Sequence, residues 1–264
     1  MNRKYNFKKD NKVEKTMQDN EKESYYLSYE KRYKAVYEAG ADYWGHTPDD
    51  DELIEYLTQY VEKHYLKGKR IIEFFCGEGA SGVILSKLGC IYHGVDISLA
   101  ALSKAKDSLK GFPNASIDVL NVVSEKITEQ YDAALDVMGI HMLVTDPDRD
   151  KYLSNAFSCL KNNAPMLFLR VLCSDVAIDQ YIETYEEWET ISGKDYKTPQ
   201  RMFFRKEGEE IEVQIPLIPG RAKTMNGYTL ELTKSGFKIE NIKNLEPNHK
   251  TGGGSVSILV YKNE

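Results

Sequence analysis

Ile71-Ile72-Glu73-Phe74-Phe75-Cys76-Gly77-Glu78-Gly79-Ala80-Ser81-Gly82 is an apolar run that breaks into glycines and then resumes with helix-compatible residues. The run reads as a buried strand, and the glycines as a tight turn that opens a helix. Glycine suits such a turn because a ligand can approach the bare backbone and because the turn uses conformations that a Cβ penalises. Gly77, Gly79 and Gly82 also satisfy the Gly-x-Gly-x-x-Gly fingerprint of dinucleotide binding. Two acids argue against a dinucleotide. Glu73 lies on the strand itself, where a dinucleotide fold carries an apolar residue. A buried carboxylate is costly there unless it meets a donor or a positive group, and the ammonium of a bound amino acid would serve. Glu78 opens the helix and would repel a pyrophosphate that the helix N-terminus should attract. Both acids favour a ligand with an ammonium group and no phosphate.

Working outward, Gly94-Val95-Asp96-Ile97 ends the next strand and places an acid 19 positions beyond Gly77, where it can accept hydrogen bonds from both hydroxyls of a ribose. The pattern predicts strands near 70–75, 91–95, 115–119, 132–138 and 165–171, with helices near 80–88, 98–109 and 148–161. Short crossovers of this kind build a mostly parallel sheet with helices on both faces. Upstream, Asp49 to Asp51 supplies an N-cap for a helix carrying Leu53, Leu57, Tyr60 and Val61 on one face. Before it, Tyr25, Tyr26, Tyr29, Tyr33 and Tyr37 recur at helical spacing and lead to Tyr43-Trp44-Gly45. This stripe reads as packing surface or as a cap over a planar ligand or a sulfonium. Past Val171 the alternation stops. A helix over Asp175 to Ile191 and a hairpin with Glu207-Gly208 at its turn are expected in an insertion spanning 172–226. A helix near Thr229 to Ser235 and strands from Phe237 and from Val256 close the chain.

Composition sets limits on partners. With 264 residues, 41% apolar and 29% charged, the chain has room for one elaborated α/β domain over 25–264, and it is neither disordered nor membrane-like in composition. Residues 1–24 alternate charges without an apolar stretch, which predicts a mobile tail and a cytoplasmic protein with no membrane partner. A net charge of −6 disfavours nucleic acid as a partner. Cys76, Cys90, Cys159 and Cys173 form no Cys-x-x-Cys pair, so neither a metal site nor a disulfide framework is expected.

With these residues in place, the chain from about Asp50 onward resembles the class I, Rossmann-like S-adenosylmethionine (SAM)-dependent methyltransferases. The first family motif matches as Glu73, Phe75, Gly77 and Gly79, with Phe75 in the place of the first glycine. Asp96 matches the acid after the second strand, Asp118 the residue that contacts the adenine amino group, and Val119 the residue that packs on the ring. Tyr131 to His141 resembles the fourth strand, whose end lines the space beside the methyl donor. The resemblance implies a seven-stranded, mostly parallel, doubly wound sheet with a C-terminal antiparallel hairpin, an N-terminal helical cap over 25–66 and the 172–226 insertion as a lid. It implies SAM as cofactor, S-adenosylhomocysteine (SAH) as product, and a cofactor site made by Glu73, Phe75, Cys76, Gly77, Gly79, Asp96, Ile97, Asp118, Val119, Asp136 and Met138.

Asp136-Val137-Met138-Gly139 is neither the Pro-Pro-aromatic motif of amino-methylating nucleic-acid enzymes nor a Pro-Cys nucleophile; with His141 it resembles instead the family members that act on small molecules, which implies a small-molecule acceptor. Displacement at a sulfonium needs alignment in a dry pocket and no covalent intermediate. A base would help a hydroxyl or thiol acceptor, and His141, just past a central strand, is the candidate. Tyr43, Trp44, Tyr181, Trp188 and Arg221 are expected to wall the acceptor pocket. The alternatives are a SAM-binding sensor or partner subunit without catalysis, an RNA methyltransferase, and an NAD-dependent oxidoreductase.

Overall fold

The computed structural model describes residues 24–246 and 254–263. Apart from Ser24, the expected tail lies outside the described residues. In chain order the elements are α1 (Ser28–Glu38), α2 (Asp51–Lys63), β1 (Arg70–Phe74), α3 (Ala80–Lys87), β2 (Ile91–Asp96), α4 (Leu99–Ser108), β3 (Ala115–Val119), β4 (Ala133–Val137), α5 (Asp146–Cys159) and β5 (Pro165–Leu172). They continue with α6 (Tyr185–Ser192), β6 (Pro199–Lys206), β7 (Glu209–Pro216), α7 (Met225–Lys234), β8 (Phe237–Leu245) and β9 (Ser255–Lys262).

Seven strands form one sheet in the order β3-β2-β1-β4-β5-β9-β8, while β6 and β7 pair separately. β1 to β5 are parallel to their neighbours, and β9 runs antiparallel to both β5 and β8. This is the expected sheet, with the expected C-terminal hairpin. The period-2 alternation of each strand divides the core. Ile72, Phe74 and Ala134 face α5 and α7 through Tyr152, Leu153, Tyr228 and Leu232. Ile71, Ala133 and Leu135 face α2 and α3 through Leu53, Leu57, Ile84 and Leu85. Burial on both faces explains why the central strands read as apolar runs, interrupted at Glu73, Asp136 and Arg170.

Local chemistry sets the element ends. Asp50 caps α2 by accepting from Leu53 N, and Ser98 caps α4 by accepting from Ala101 N. The α5 cap is Thr145, so Asp146 is already inside the helix. Glu207 and Gly208 both have positive φ, 49° and 86°, as a tight hairpin turn between right-twisted strands requires.

The helix expected over Asp175 to Ile191 is shorter than the sequence suggests, and only Tyr185–Ser192 is helical. Upstream of it the polar groups are engaged elsewhere. Asp179 Oδ1 accepts from Thr224 N at 2.9 Å, and Ile182 N donates to Asp146 Oδ2 at 2.7 Å. Such bonds compete with a helical ladder. Helix α6 starts where Thr184 can cap it by accepting from Glu187 N. The hairpin then packs on α1, with Phe204, Val213 and Ile215 buried against Val36 and Ala41. The insertion and the N-terminal helix thus share a core.

Candidate active site

The sheet order reverses between β1 and β4, and the crevice at such a point is where open α/β sheets bind ligands. A cavity lies there. Its floor comes from the carboxyl ends of the strands: Phe75 after β1, Asp96 and Ile97 at the end of β2, Leu120 to Val123 after β3, and Met142 and Leu143 after β4. Tyr26, Tyr29 and Tyr33 form its roof. Three of the five tyrosines of the stripe therefore line the cavity. Glu30, on the same helix, accepts from Ser98 Oγ at 2.6 Å and from Ala100 N at 3.1 Å, which fastens α1 to the start of α4.

The glycine turn shows why each glycine is present. A Cβ on Gly77 would stand 2.7 Å from Tyr33 Oη, so the roof rests directly on the turn. Gly82 answers to a different need: a Cβ there would stand 2.5 Å from Tyr92 Cε1. Gly82 is a packing glycine inside α3. Phe75, which replaces the first motif glycine, adopts φ +54°, a left-handed conformation that glycine takes freely. Its ring stands edge-on to Tyr152, with centroids 4.9 Å apart. Cys76 packs under the turn near Gly94, and burial pushes its thiol up.

The acids of the turn are held differently from the expectation. Glu73 is buried on β1, and its carboxyl already has partners in the Tyr92 hydroxyl and Ser81. Burial pushes it up to about 8 in spite of these bonds, with Asp136 and Asp96 adding to the shift. The donor that the sequence reading sought in a ligand is thus supplied by the neighbouring strand. Glu78 turns toward the segment 42–46, accepting from Trp44 N at 2.9 Å, Gly45 N at 2.7 Å and Tyr37 Oη at 2.8 Å. It ties that segment to the glycine turn.

Asp96 accepts from Gly77 N at 2.9 Å and from Ser98 N at 2.8 Å, joining two strand-end loops at the cavity floor. Burial pushes it up to about 6, opposed by these N–H donors. Asp118 does not reach the cavity. Its side chain is 73% exposed and lies 3.1 Å from His93 Nε2, because the alternation of β3 turns it outward. Val119 packs on the α3 side of the core. The residues that enter the cavity follow the strand, and Asn121 is the polar one, its Nδ2 donating to Tyr26 Oη at 3.3 Å. Sequence reasoning missed Asn121 by aligning the acid inside the strand rather than on the loop after it.

Asp136 is fully buried and accepts from Gly139 N at 2.6 Å, Ile140 N at 3.0 Å and Tyr152 Oη at 2.6 Å. It shapes the turn after β4, and burial pushes it up to about 6. Met138, in the same turn, has φ +61°. His141 is buried, its Nδ1 facing Leu172 N at 3.4 Å, and burial and Arg149 push it down to about 3. An imidazole that acidic is neutral near pH 7 and a weak base.

Of the expected pocket wall, Trp44 stays close to the cavity, edge-on to the roof residue Tyr33 at 4.6 Å. Tyr43 instead bridges to Arg205 of the hairpin. Tyr181 is an exposed surface residue. Trp188 is buried among Val144, Ile182 and Tyr25, its Nε1 donating to Tyr196 Oη at 3.1 Å. Arg221 is fully buried and spent on Asp146 Oδ2 at 2.7 Å and the Val144 carbonyl at 3.0 Å. Two other aromatics of the 172–226 insertion, Tyr185 and Tyr196, line a second cavity together with Tyr25. No cluster suited to a metal ion occurs among the described residues, and no helix there is long and apolar enough to cross a membrane.

Residues 72–166, which carry the glycine turn, the three following strands and the start of β5, match the family model described as a methyltransferase domain. Among solved structures, the chain is similar to an S-adenosylmethionine-dependent methyltransferase from Clostridium acetobutylicum, with TM-score 0.58 and 14% identity over 90% of this chain and 99% of that one. It is also similar to CalS10, an amino pentose methyltransferase from Micromonospora echinaspora, with TM-score 0.58 and 12% identity over 92% of this chain and 100% of that one. At these identities the likeness is one of fold. A tRNA (uracil(54)-C(5))-methyltransferase of Pyrococcus furiosus is 25% identical over 127 residues, 48% of this chain but only 28% of that protein's length. The chain thus carries a methyltransferase-domain match over residues 72–166 on a Rossmann-like sheet whose strand order and glycine turn are shared in fold with S-adenosylmethionine-dependent methyltransferases.

Proposed function

We propose that the chain moves a methyl group from SAM to a small-molecule acceptor by direct displacement, as one domain over 25–264 with 25–66 as cap and 172–226 as lid. The observation that carries the reading is the cavity at the sheet reversal, with Asp96 on its floor and a tyrosine roof resting on the glycine turn. The residues fit the cofactor. Asp96 accepts backbone N–H groups from Gly77 and Ser98, one on each oxygen, with Ile97 N–H also near, and its carboxylate retains acceptor capacity for a ribose hydroxyl. Leu120, Val122 and Phe75 offer apolar and aromatic surface for a purine, and Asn121 offers it a polar edge. Gly77 and Gly79 let the amino-acid part approach the backbone, with Glu73 behind the turn. The bound cofactor supplies an activated methyl on a sulfonium; the chain orients it and excludes water.

His141 takes no part as a base in this reading, since its pKa is held near 3. The small-molecule acceptor is supported by the hairpin's mixed charge, with Arg201 paired to Glu212 and further acids at Glu207, Glu209 and Glu210 where an RNA-binding surface needs a positive field. Two structural neighbours, the amino pentose methyltransferase and a glycopeptide N-methyltransferase, support the same reading. Incubation with methyl-labelled SAM and panels of small amines, acids and thiols, in parallel with bulk tRNA, tests the acceptor. Label on a small molecule is expected. Label on tRNA alone would overturn the acceptor class, and tight SAM binding with no transfer to either would favour a sensor.

A further inference from the structure

Three non-glycine residues with left-handed backbone stand along the carboxyl edge of three adjacent strands: Phe75 after β1 (φ +54°), Met138 after β4 (φ +61°) and Arg170 in β5 (φ +56°). At Arg170 the register of β5 against β9 slips between Phe168 and Val171. Such a conformation is unfavourable for a residue with a Cβ, and conformations of this kind collect where structure is bent to a task. The side chain that two of the three hold in common is His46. Its Nδ1 lies 2.8 Å from Arg170 Nη1 and 3.5 Å from Asp50 Oδ2, while its Nε2 lies 3.1 Å from Met138 Sδ.

The charges around it fix the tautomer. Arg170 is paired with Asp50 at 2.8 Å and Glu52 at 2.5 Å, so its guanidinium is immobile, and it donates to Nδ1. A guanidinium has only donors. With Nδ1 accepting from that guanidinium, the ring proton is on Nε2, pointing at a thioether, which is a weak acceptor that a ligand oxygen can replace. The backbone of the same segment is pinned to the glycine turn, since Trp44 N and Gly45 N donate to Glu78. His46 is thus tied at once to the turn below the cofactor cleft and to the ends of β4 and β5.

We propose that His46 is the polar group that meets the methyl acceptor, its Nε2–H donating to an oxygen of the acceptor beside the nucleophilic atom. Acceptors with a carbonyl, carboxylate or hydroxyl next to that atom are the class it selects. The role is that of a fixed donor, since Arg170 occupies the nitrogen that would otherwise carry the proton away. It rests on the cofactor reading of the cleft.

Two SAM analogues test it without an identified acceptor. SAH sulfoxide places an oxygen acceptor at the methyl position, and sinefungin places an ammonium there. Affinities of SAH, SAH sulfoxide and sinefungin are measured by titration on the full chain and on His46→Ala and His46→Gln. His46→Ala is expected to leave SAH unchanged, to weaken the sulfoxide about five-fold relative to SAH, the size of one lost hydrogen bond, and not to weaken sinefungin. His46→Gln, which keeps an N–H donor, is expected to recover part of the sulfoxide affinity. Intact SAH binding with an unchanged sulfoxide-to-SAH ratio in His46→Ala overturns this proposal alone. A wild-type chain that binds none of the three overturns the cofactor reading and this proposal together.

Discussion

Replacing Glu73 by Gln should stabilise the ligand-free protein near neutral pH and leave it unchanged in acid. The carboxyl is buried, and desolvation pushes it up to about 8 from an ordinary value of 4.5, with the Tyr92 and Ser81 hydrogen bonds opposing the shift. Between those two values the folded chain binds a proton that the unfolded chain has released, so the stability from this group is full below pH 4.5 and is lost as pH rises toward 8. At pH 7 the interval above 4.5 is 2.5 units, a cost of roughly 3 kcal/mol at 1.36 kcal/mol per unit. Glutamine keeps the shape and an acceptor for Tyr92 without the charge. Urea unfolding of both proteins from pH 4 to 8.5 reads the effect as a difference, to which Asp96 and Asp136, present in each, contribute only through their coupling to Glu73. The difference should grow from near zero at pH 4 to about 3 kcal/mol at pH 7 and level off above pH 8. A difference that is flat across this range, or a variant less stable at pH 7, would refute the reasoning.

The cavity assignment separates two polar residues three positions apart: Asn121→Ala should weaken SAH binding about five-fold or more, whereas Asp118→Ala, at an exposed position, should leave it unchanged in the same titration. Gly82→Ala should destabilise by roughly 3 kcal/mol, since its Cβ meets the Tyr92 ring at 2.5 Å and that ring is tied to Glu73; thermal unfolding reads this directly. Glu231→Gln removes the partner of Arg149, which it holds through two bonds of 2.6 and 2.7 Å in a fully buried setting. A loss of about 3–5 kcal/mol in denaturant unfolding is expected, with Lys223 also losing its 3.4 Å contact.

The sheet was legible because both of its faces are covered: apolar runs such as Ile71 to Phe75 and Ala164 to Leu169 stand out against their surroundings, and turn residues bound them. The glycine turn and Asp96 were legible because backbone approach restricts residue type. Asp118 misled because a strand's last acid and the first polar residue of the following loop look alike in sequence, and only the pleat tells which one faces the crevice. Arg221 and Trp188 misled for a related reason. A guanidinium suits a ligand carboxylate or Asp146 equally well, and a tryptophan suits a pocket or a core. His46 had no signal of its own, since its setting is made by Arg170, 124 residues away, in a backbone conformation that sequence does not announce.

Calorimetric titration of the full chain with SAM, SAH and NAD, repeated with Asp96→Ala, bears most directly on the cofactor assignment. Micromolar binding of SAM and SAH, none of NAD, and loss of both adenosyl ligands in the variant are the predicted results. Binding of NAD without either adenosyl ligand would contradict the account.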